Sequence, residues 1–129
     1  MKSTVGQSNR VATVSPEPLT ATDRDFDEIL GNADMPVVVG FCSVACPPCR
    51  LQKRLLMKLC ADYADRLMVV MVEVEDAPEL VLRHHITHIP TQVFFVGGQP
   101  VERLSGLSSI AVLRDRLERH ASRAISRTA

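Results

Sequence analysis

The chain has 129 residues, which is enough for one domain whose buried core needs no structural disulfides. Its 15 basic and 15 acidic side chains balance, leaving no positive excess to neutralise nucleic-acid phosphates or an anionic membrane. No apolar run approaches the roughly 18 residues of a membrane span, and residues 1–15 lack the apolar core of a signal peptide. We therefore expect a cytoplasmic protein that binds neither nucleic acid nor membrane.

The N-terminal segment differs in composition from the rest of the chain. Residues 1–16 are polar and rich in Ser and Thr, so we interpret them as a mobile extension, with a candidate short strand at residues 11–14. The apolar patterning of a folded domain covers residues 17–126. We find no internal repeat and no second domain.

The first elements of this domain are a short strand, a helix and a buried strand. Residues 19–21 are a candidate edge strand, and Thr22 has the side chain of a helix N-cap. Gly31 and Asn32 then end the helix. The continuous apolar run at residues 37–41 is typical of a strand buried on both faces.

A second helix follows Cys49, and its apolar residues recur at helical spacing: Leu51, Leu55, Leu56, Leu59 and Tyr63. The remaining predicted elements are a strand, a helix, a hairpin and a last helix, at residues 67–74, 78–84, 91–96 with 100–104, and 110 onward. The order β-α-β-α-β-α-β-β-α predicts an α/β domain, in which helices cover both faces of a central mixed sheet.

The sequence Cys46-Pro47-Pro48-Cys49 stands where a buried strand gives way to a helix. Two cysteines at this spacing can close a small disulfide ring and open it again. A thiolate at Cys46 would be stabilised by the helix N-terminus, where unpaired N–H groups favour negative charge. The alternative is half of a zinc site, but no second pair of ligands repeats the spacing.

A second motif accompanies the cysteine pair, because Ile89-Pro90-Thr91 precedes a later strand and is followed by Gly98 and Gly106. With Phe26, Phe41, Tyr63 and Phe95 at their places, the chain resembles the thioredoxin family over most of its length. The resemblance implies a thioredoxin fold and a protein-disulfide reductase that contributes to cell redox homeostasis. It also implies that the protein is a monomer with no bound cofactor and no metal.

The resemblance assigns a task to each site residue. Cys46 would be the nucleophile that attacks a substrate disulfide, and Cys49 the buried resolving thiol that releases the reduced substrate. Pro90 would be cis and would shape a groove for an extended peptide. The implied substrate-binding residues are Ala45, Pro47, Pro48, Ile89, Pro90, Thr91 and Gly106. A thioredoxin-reductase-like protein would then reduce the Cys46–Cys49 disulfide again.

The chain departs from the family pattern around the cysteines. Pro47 replaces a glycine, which stiffens the loop and should change the redox potential. The chain has no tryptophan, and Cys42 and Ala45 stand at the two tryptophan positions of the family. Gly40 and Met71 replace a buried aspartate and its lysine partner, so both members of a charge pair are missing together. Deprotonation of the resolving thiol must therefore use water or another group.

Other cysteines and the histidines leave alternatives open. Cys42, Cys46 and Cys49 together have a spacing seen in three-cysteine iron–sulfur sites. The simpler interpretation is that Cys42 is a small apolar residue that fills space in the core. Cys60 is expected in the core. The histidines at positions 84, 85 and 88 could suggest a metal, but histidines near a helix end are usually solvated. A positive His88 could also help to hold the Cys46 thiolate.

Two rival functions follow from these departures. The chain could be a thioredoxin-like binding module whose cysteine pair is slow or vestigial. It could alternatively bind a metal or an iron–sulfur cluster through Cys42, Cys46 and Cys49. Retention of the cysteine pair and of Ile89-Pro90-Thr91 favours the reductase.

Overall fold

The computed structural model describes residues 18–128, with side chains described as far as residue 121. The elements follow the predicted order β-α-β-α-β-α-β-β-α, and their bounds are β1 Leu19–Ala21, α1 Phe26–Gly31, β2 Val37–Cys42, α2 Pro47–Asp62, β3 Met68–Glu73, α3 Pro78–Arg83, β4 Thr91–Val96, β5 Gln99–Ser105 and α4 Ile110–Thr128. A 3₁₀ turn at Val74–Asp76 joins β3 to α3. The proposed extension and its candidate strand lie outside the described residues.

The five strands form one mixed sheet in the order β1-β3-β2-β4-β5. β3 pairs in parallel with both β1 and β2, whereas β4 pairs antiparallel with β2 and with β5. The predicted mixed sheet with a closing hairpin is therefore confirmed. Gly97 and Gly98 make the hairpin turn with φ values of 60° and 79°, a region that glycine enters without steric cost.

Successive residues of β2 face opposite sides of the sheet, so the strand divides the core into two layers. Phe41 and Val39 pack on the side of α1 and α3, together with Phe26, Leu30 and Leu80. Val38 and Cys42 pack on the side of α2 and α4, together with Leu56, Leu59, Leu113 and Leu117. Because β2 is buried along its whole length, it is the central strand from which the site is built.

The structure corrects two details of the predicted helices. Thr22 is not the N-cap of α1, because the helix begins at Phe26, after a turn in which the Thr22 N–H donates to Asp25 Oδ1 at 2.8 Å. Leu51 was predicted on the buried face of α2 but is 43% exposed. The next residue, Gln52, is polar but fully buried, and its side chain is hydrogen-bonded to the backbone of Ser108.

Asp23, which follows β1 and precedes α1, caps a different helix. Its two carboxylate oxygens accept hydrogen bonds from the backbone N–H groups of Glu79 and Leu80 at 3.1 and 3.0 Å. These are N–H groups of the first turn of α3, which have no partner within that helix. The contact joins the α1 region to α3 on one side of the sheet.

One of the histidines predicted to be solvated is instead half-buried. His84 lies among the rings of Phe26, Phe41 and Phe95, with ring centroids 5.5 to 6.1 Å apart. Its Nε2 is buried and has no hydrogen-bond partner among the described residues. Burial, helped by the charges of Arg83 and Arg103, lowers the pKa of His84.

Within residues 18–128, no helix is both long enough and apolar enough to cross a membrane.

We predict that His84 makes the fold sensitive to acid. Because its pKa is lower in the folded chain than the 6.5 of a free histidine, the unfolded chain binds more protons as the pH falls below about 6.5. The stability that neutral His84 contributes is fully present above that pH and is lost below it. Urea unfolding at pH 7.5 and pH 5 should show a smaller loss of stability for His84→Phe than for the wild type. Equal losses in the two proteins would contradict the assignment.

Candidate active site

The cysteine pair lies at the junction of β2 and α2. After Cys42 the chain turns, and the Cys46 N–H donates to the Ser43 carbonyl at 3.1 Å. Cys46 is the N-cap residue, and Pro47 and Pro48 follow as the first residues of α2. A helix begins readily at these prolines, because the first N–H groups of a helix have no partner within it. The Cys49 N–H then donates to the Cys46 carbonyl at 3.0 Å.

The two thiols have different environments, as their predicted tasks require. Cys46 is half-buried, whereas Cys49 is only 3% exposed. Burial raises the pKa of Cys49, and the hydrogen bond that its thiol donates to Cys46 raises it further. The Ser43 N–H, 3.4 Å from Cys49 Sγ, acts in the opposite direction. Both residues are free thiols in this structure, so it represents the reduced site.

The Ile89–Pro90 peptide bond is cis, as the resemblance implied. Phe41 of β2 pairs with Thr91 of β4, so this bond lies beside the end of β2, where the cysteine loop begins. The Pro90 carbonyl accepts a hydrogen bond from the Gly106 N–H at 2.8 Å. The cysteine pair, Ile89-Pro90-Thr91 and Gly106 are separated along the chain but meet at one end of the sheet.

The predicted substrate-binding residues differ in their exposure. Ala45, Pro47 and Pro48 are not buried, Gly106 is half-buried, and Ile89 is 36% exposed. Pro90 and Thr91 are buried. Two apolar residues that the sequence did not single out are also exposed, since Val44 is 71% and Leu107 49% exposed. Their only sequence signal was an apolar side chain in a loop next to a site residue.

A carboxylate that the sequence did not predict supports the loop before Cys46. The Ser43 hydroxyl donates a hydrogen bond to Glu75 and accepts one from the Ala45 N–H at 3.3 Å. The bond from Ser43 lowers the pKa of Glu75. The Val74–Asp76 turn and the cysteine loop are thereby joined through Ser43, which is itself 6% exposed.

Behind the thiols is a cavity of about 180 Å³, lined by Cys42, Ser43, Val44, Cys49, Arg50, Lys53, Met71 and Glu73. Arg50 and Lys53 are exposed, so the cavity opens to solvent beside α2. Glu73 contributes an oxygen, Oε1, that is buried and has no hydrogen-bond partner among the described residues. A carboxylate in such a position can accept a proton if water enters the cavity.

Cys42 is in direct contact with the pair. Its pKa is raised far above the ordinary value of a thiol, first by burial and then by the hydrogen bond that its thiol donates to Cys49. The negative charge of Glu73 raises it further. Cys60, by contrast, packs in the core as predicted, at 2% exposure. Cys42 is therefore a neighbour of Cys49 as well as a small core residue.

Three polar side chains are buried between α2 and the loop after Gly106. Gln52 is fully buried; its Oε1 accepts from the Ser108 N–H at 2.6 Å and its Nε2 donates to the Ser108 carbonyl at 3.1 Å. The amide of Gln92, two residues after Pro90, lies 3.1 Å from Gln52 Oε1. This cluster fixes α2 against the strand and loop that carry Pro90 and Gly106. Isolated glutamines and serines form no sequence pattern from which it could have been predicted.

The position of the family's charge pair is filled by apolar atoms. Gly40 and Met71 are partners in the register of β2 and β3. A Cβ atom on Gly40 would come within 2.8 Å of Leu56 Cδ1 and within 3.2 Å of the Met71 side chain. A side chain at position 40 therefore requires Leu56 and Met71 to shift, and Met71 offers no counter-charge to a carboxylate there.

The remaining candidate ligands are not brought together. His85 and His88 are exposed, and the His88 ring contacts the Thr87 hydroxyl at 3.0 Å. Within the described part of the chain, no group of three or more His, Cys, Asp or Glu side chains has the arrangement of a metal site. An effect of His88 on the Cys46 thiolate stays a prediction.

We predict that Gly40→Asp destabilises the fold by about 3–5 kcal/mol, the range for an uncompensated buried charge. The matched control is Gly40→Ala, which adds the Cβ contact without the charge and should cost about 1–3 kcal/mol. Urea unfolding at neutral pH measures both. If the aspartate variant is as stable as the alanine variant, the apolar description of this position is wrong.

Comparison with known proteins gives consistent matches. The family model described as Thioredoxin matches residues 17–119. A thioredoxin of Alicyclobacillus acidocaldarius is 35% identical over 88 residues, which are 68% of this chain and 83% of the relative. A bifunctional thioredoxin reductase/thioredoxin of Mycobacterium leprae is 32% identical over 98 residues, 75% of this chain but 21% of that longer protein.

A solved structure shows the same fold. A mutant thioredoxin from Halobacterium salinarum NRC-1 superposes with a TM-score of 0.76, covering 82% of this chain and 92% of that one. The two sequences are 24% identical, so this match supports the fold alone.

Proposed function

Because the chain belongs to the thioredoxin family, whose members are thiol–disulfide oxidoreductases, we propose that it reduces disulfide bonds in other proteins through Cys46 and Cys49. One observation carries this proposal. A half-buried Cys46 caps α2, with a buried Cys49 hydrogen-bonded to it one turn inside, at the end of the sheet where Ile89–Pro90 is cis. These groups are the ones that disulfide exchange requires.

The reaction has two exchange steps. The Cys46 thiolate attacks one sulfur of a substrate disulfide; the Cys46–substrate bond forms, the substrate bond breaks, and the departing thiolate takes a proton. Cys49 then attacks Cys46 Sγ, forming the Cys46–Cys49 disulfide and releasing the second substrate thiol. The substrate gains two electrons and two protons, and an electron donor later returns the same number to the protein.

The second step requires a proton acceptor for Cys49, whose pKa is raised by burial. Gly40 has no side chain that could act, so another group must do so. Glu73 lines the same cavity as Cys49 and has an oxygen with no hydrogen-bond partner in the described chain. We assign it as the acceptor, acting through water that enters the cavity beside Arg50 and Lys53.

The substrate would dock on the apolar surface around Cys46. Val44, Ile89 and Leu107 are exposed there, next to Ala45, Pro47 and Pro48. Pro90 and Thr91 are buried and would shape the bend, with the Pro90 carbonyl held by the Gly106 N–H, while the backbone beside Pro90 at the exposed Ile89 would pair with an extended peptide. This surface without tryptophan would select partners by aliphatic contacts.

The electron donor would be a thioredoxin-reductase-like protein. The M. leprae relative joins a thioredoxin reductase and a thioredoxin by name, which supports such a pairing for this chain. A monomer acting in the cytoplasm is the corresponding proposal for its state and location.

We predict that the wild type accelerates insulin reduction by dithiothreitol and that Cys46→Ser falls to the uncatalysed rate, since it lacks the attacking sulfur. Cys49→Ser should accumulate a mixed disulfide, because nothing resolves it. The matched control is Cys60→Ser, a buried cysteine of the same helix, which should retain activity. If wild type and Cys46→Ser are equally inactive while both bind partners, the chain is a binding module instead.

We predict that Glu73→Gln slows release of a preformed Cys46 mixed disulfide by about 100-fold at neutral pH, the low end of general-base effects. Without the carboxylate, release must wait for direct ionisation of Cys49. The rate should therefore rise more steeply with pH in the variant than in the wild type. Rapid-quench measurement of product release gives both profiles.

The exposed Glu79→Gln is the control and should follow the wild-type profile. A Glu73→Gln profile parallel to that of the wild type would show that Glu73 does not accept the proton.

A further inference from the structure

Three cysteine side chains pack together at the site, with Cys42 and Cys49 in one core cluster and Cys46 packed against it. Cys42 and Cys49 line the same cavity, and Cys49 interacts with both of the other thiols: its interaction with Cys42 raises the pKa of Cys42, and the interaction with Cys46 raises the pKa of Cys49. Cys42 is the last residue of β2 and is 3% exposed, so it is held in this position by the sheet. The central sulfur therefore has two neighbours with which it could form a disulfide.

We propose that Cys42 is a third redox thiol, which exchanges with the Cys46–Cys49 disulfide to give a Cys42–Cys49 disulfide and a free Cys46. This inference rests on the proposed function, because it starts from the oxidised pair that disulfide reduction leaves. It describes a second oxidised form of the protein that still presents its nucleophile.

The exchange needs no external oxidant. Cys42 transfers its proton to the Glu73 carboxylate, which lines the same cavity, and the Cys42 thiolate attacks Cys49 Sγ. The Cys42–Cys49 bond forms, the Cys46–Cys49 bond breaks, and Cys46 leaves as a thiolate that can take up a proton from solvent. One disulfide is exchanged for another, so the protein stays oxidised by two electrons throughout.

Two features of the environment favour the product of this exchange. In the reactant, the remaining thiol is at Cys42, where burial and the charge of Glu73 oppose ionisation. In the product, the remaining sulfur is at Cys46, which is accessible and caps α2, where the helix N-terminus favours negative charge. The exchange thus moves the free sulfur from a buried position to an accessible one at the start of α2.

The charged groups around the cavity affect the first step. Arg50 and Lys53 line it from α2 and Glu73 from β3, while Glu75 reaches the loop through Ser43. Of these charges, that of Glu73 raises the pKa of Cys42 and so opposes its ionisation. Glu73 can also accept the Cys42 proton and pass it to solvent at the open side of the cavity, beside Arg50 and Lys53.

The second oxidised form would behave differently towards disulfides. Its Cys46 thiolate can attack a small disulfide such as oxidised glutathione, forming Cys46–glutathione and releasing one glutathione thiolate. Cys49 is occupied by Cys42 and cannot resolve this bond directly. The protein would therefore keep the glutathione adduct for as long as it remains oxidised. In a site with only Cys46 and Cys49, a free Cys49 would release the glutathione.

The test traps Cys46 during exchange. Wild-type protein is oxidised to one disulfide per chain, incubated with N-ethylmaleimide under native conditions for increasing times, and mapped by mass spectrometry without reduction. We expect increasing N-ethylmaleimide on Cys46 together with a Cys42–Cys49 linkage. In Cys42→Ala, Cys46 should stay unlabelled and bonded to Cys49. The control Cys60→Ala should label as the wild type does.

Two results would overturn the proposal. The first is oxidised wild type in which Cys46 stays as unlabelled as in Cys42→Ala. The second uses Cys46→Ser, which leaves only the two inner sulfurs; treated with diamide, it should form Cys42–Cys49, and recovery of both as thiols would contradict the geometry. A failure of disulfide reduction itself would be seen separately, as loss of insulin reduction by the wild type.

Discussion

The antiparallel pairing of β2 with β4 is the constraint on which the site depends. It places Thr91 opposite Phe41, and hence the cis Ile89–Pro90 bond beside the loop that leads to Cys46. β2 is buried along its whole length between two cores, so this register cannot slip by one residue without exchanging its two faces. The cysteine pair and the cis Ile89–Pro90 bond are therefore held in place by a strand that is buried along its whole length.

The polar groups near the thiols are arranged differently from the family pattern. Close packing of Gly40 against Leu56 and Met71 removes the charge pair below the cysteines. Polar groups occur instead at the edges, as the Glu73 carboxylate in the cavity and the Gln52 amide against Ser108. A buried charge pair gains little stability, so its loss costs the fold little. Because Gly40 has no ionisable side chain, a proton acceptor for Cys49 would have to be another group.

Much of this arrangement could be predicted from the sequence, and the reason is local. The order of helices and strands follows from the periodicity of apolar residues. The cysteine pair and Ile89-Pro90-Thr91 are short motifs that can be read directly from the sequence. Contacts between distant segments have no such signal. Three features depend on the tertiary structure: the contact of Asp23 with α3, the Ser43–Glu75 hydrogen bond and the burial of Gln52. For the same reason, the sequence wrongly predicted Thr22 as an N-cap and Leu51 as buried. The contact of Cys42 with Cys49 belongs to the same class.

The most direct test of the central claim is a redox titration of the site in buffers of dithiothreitol and glutathione, followed by alkylation and mass spectrometry. A reversible dithiol site should show one transition in which two electrons are exchanged, with about 30 mV per tenfold change in the ratio of oxidised to reduced protein. The same curve should be obtained from the oxidised and the reduced side. Persistence of Cys46 and Cys49 as separate thiols under the most oxidising buffer would contradict the account.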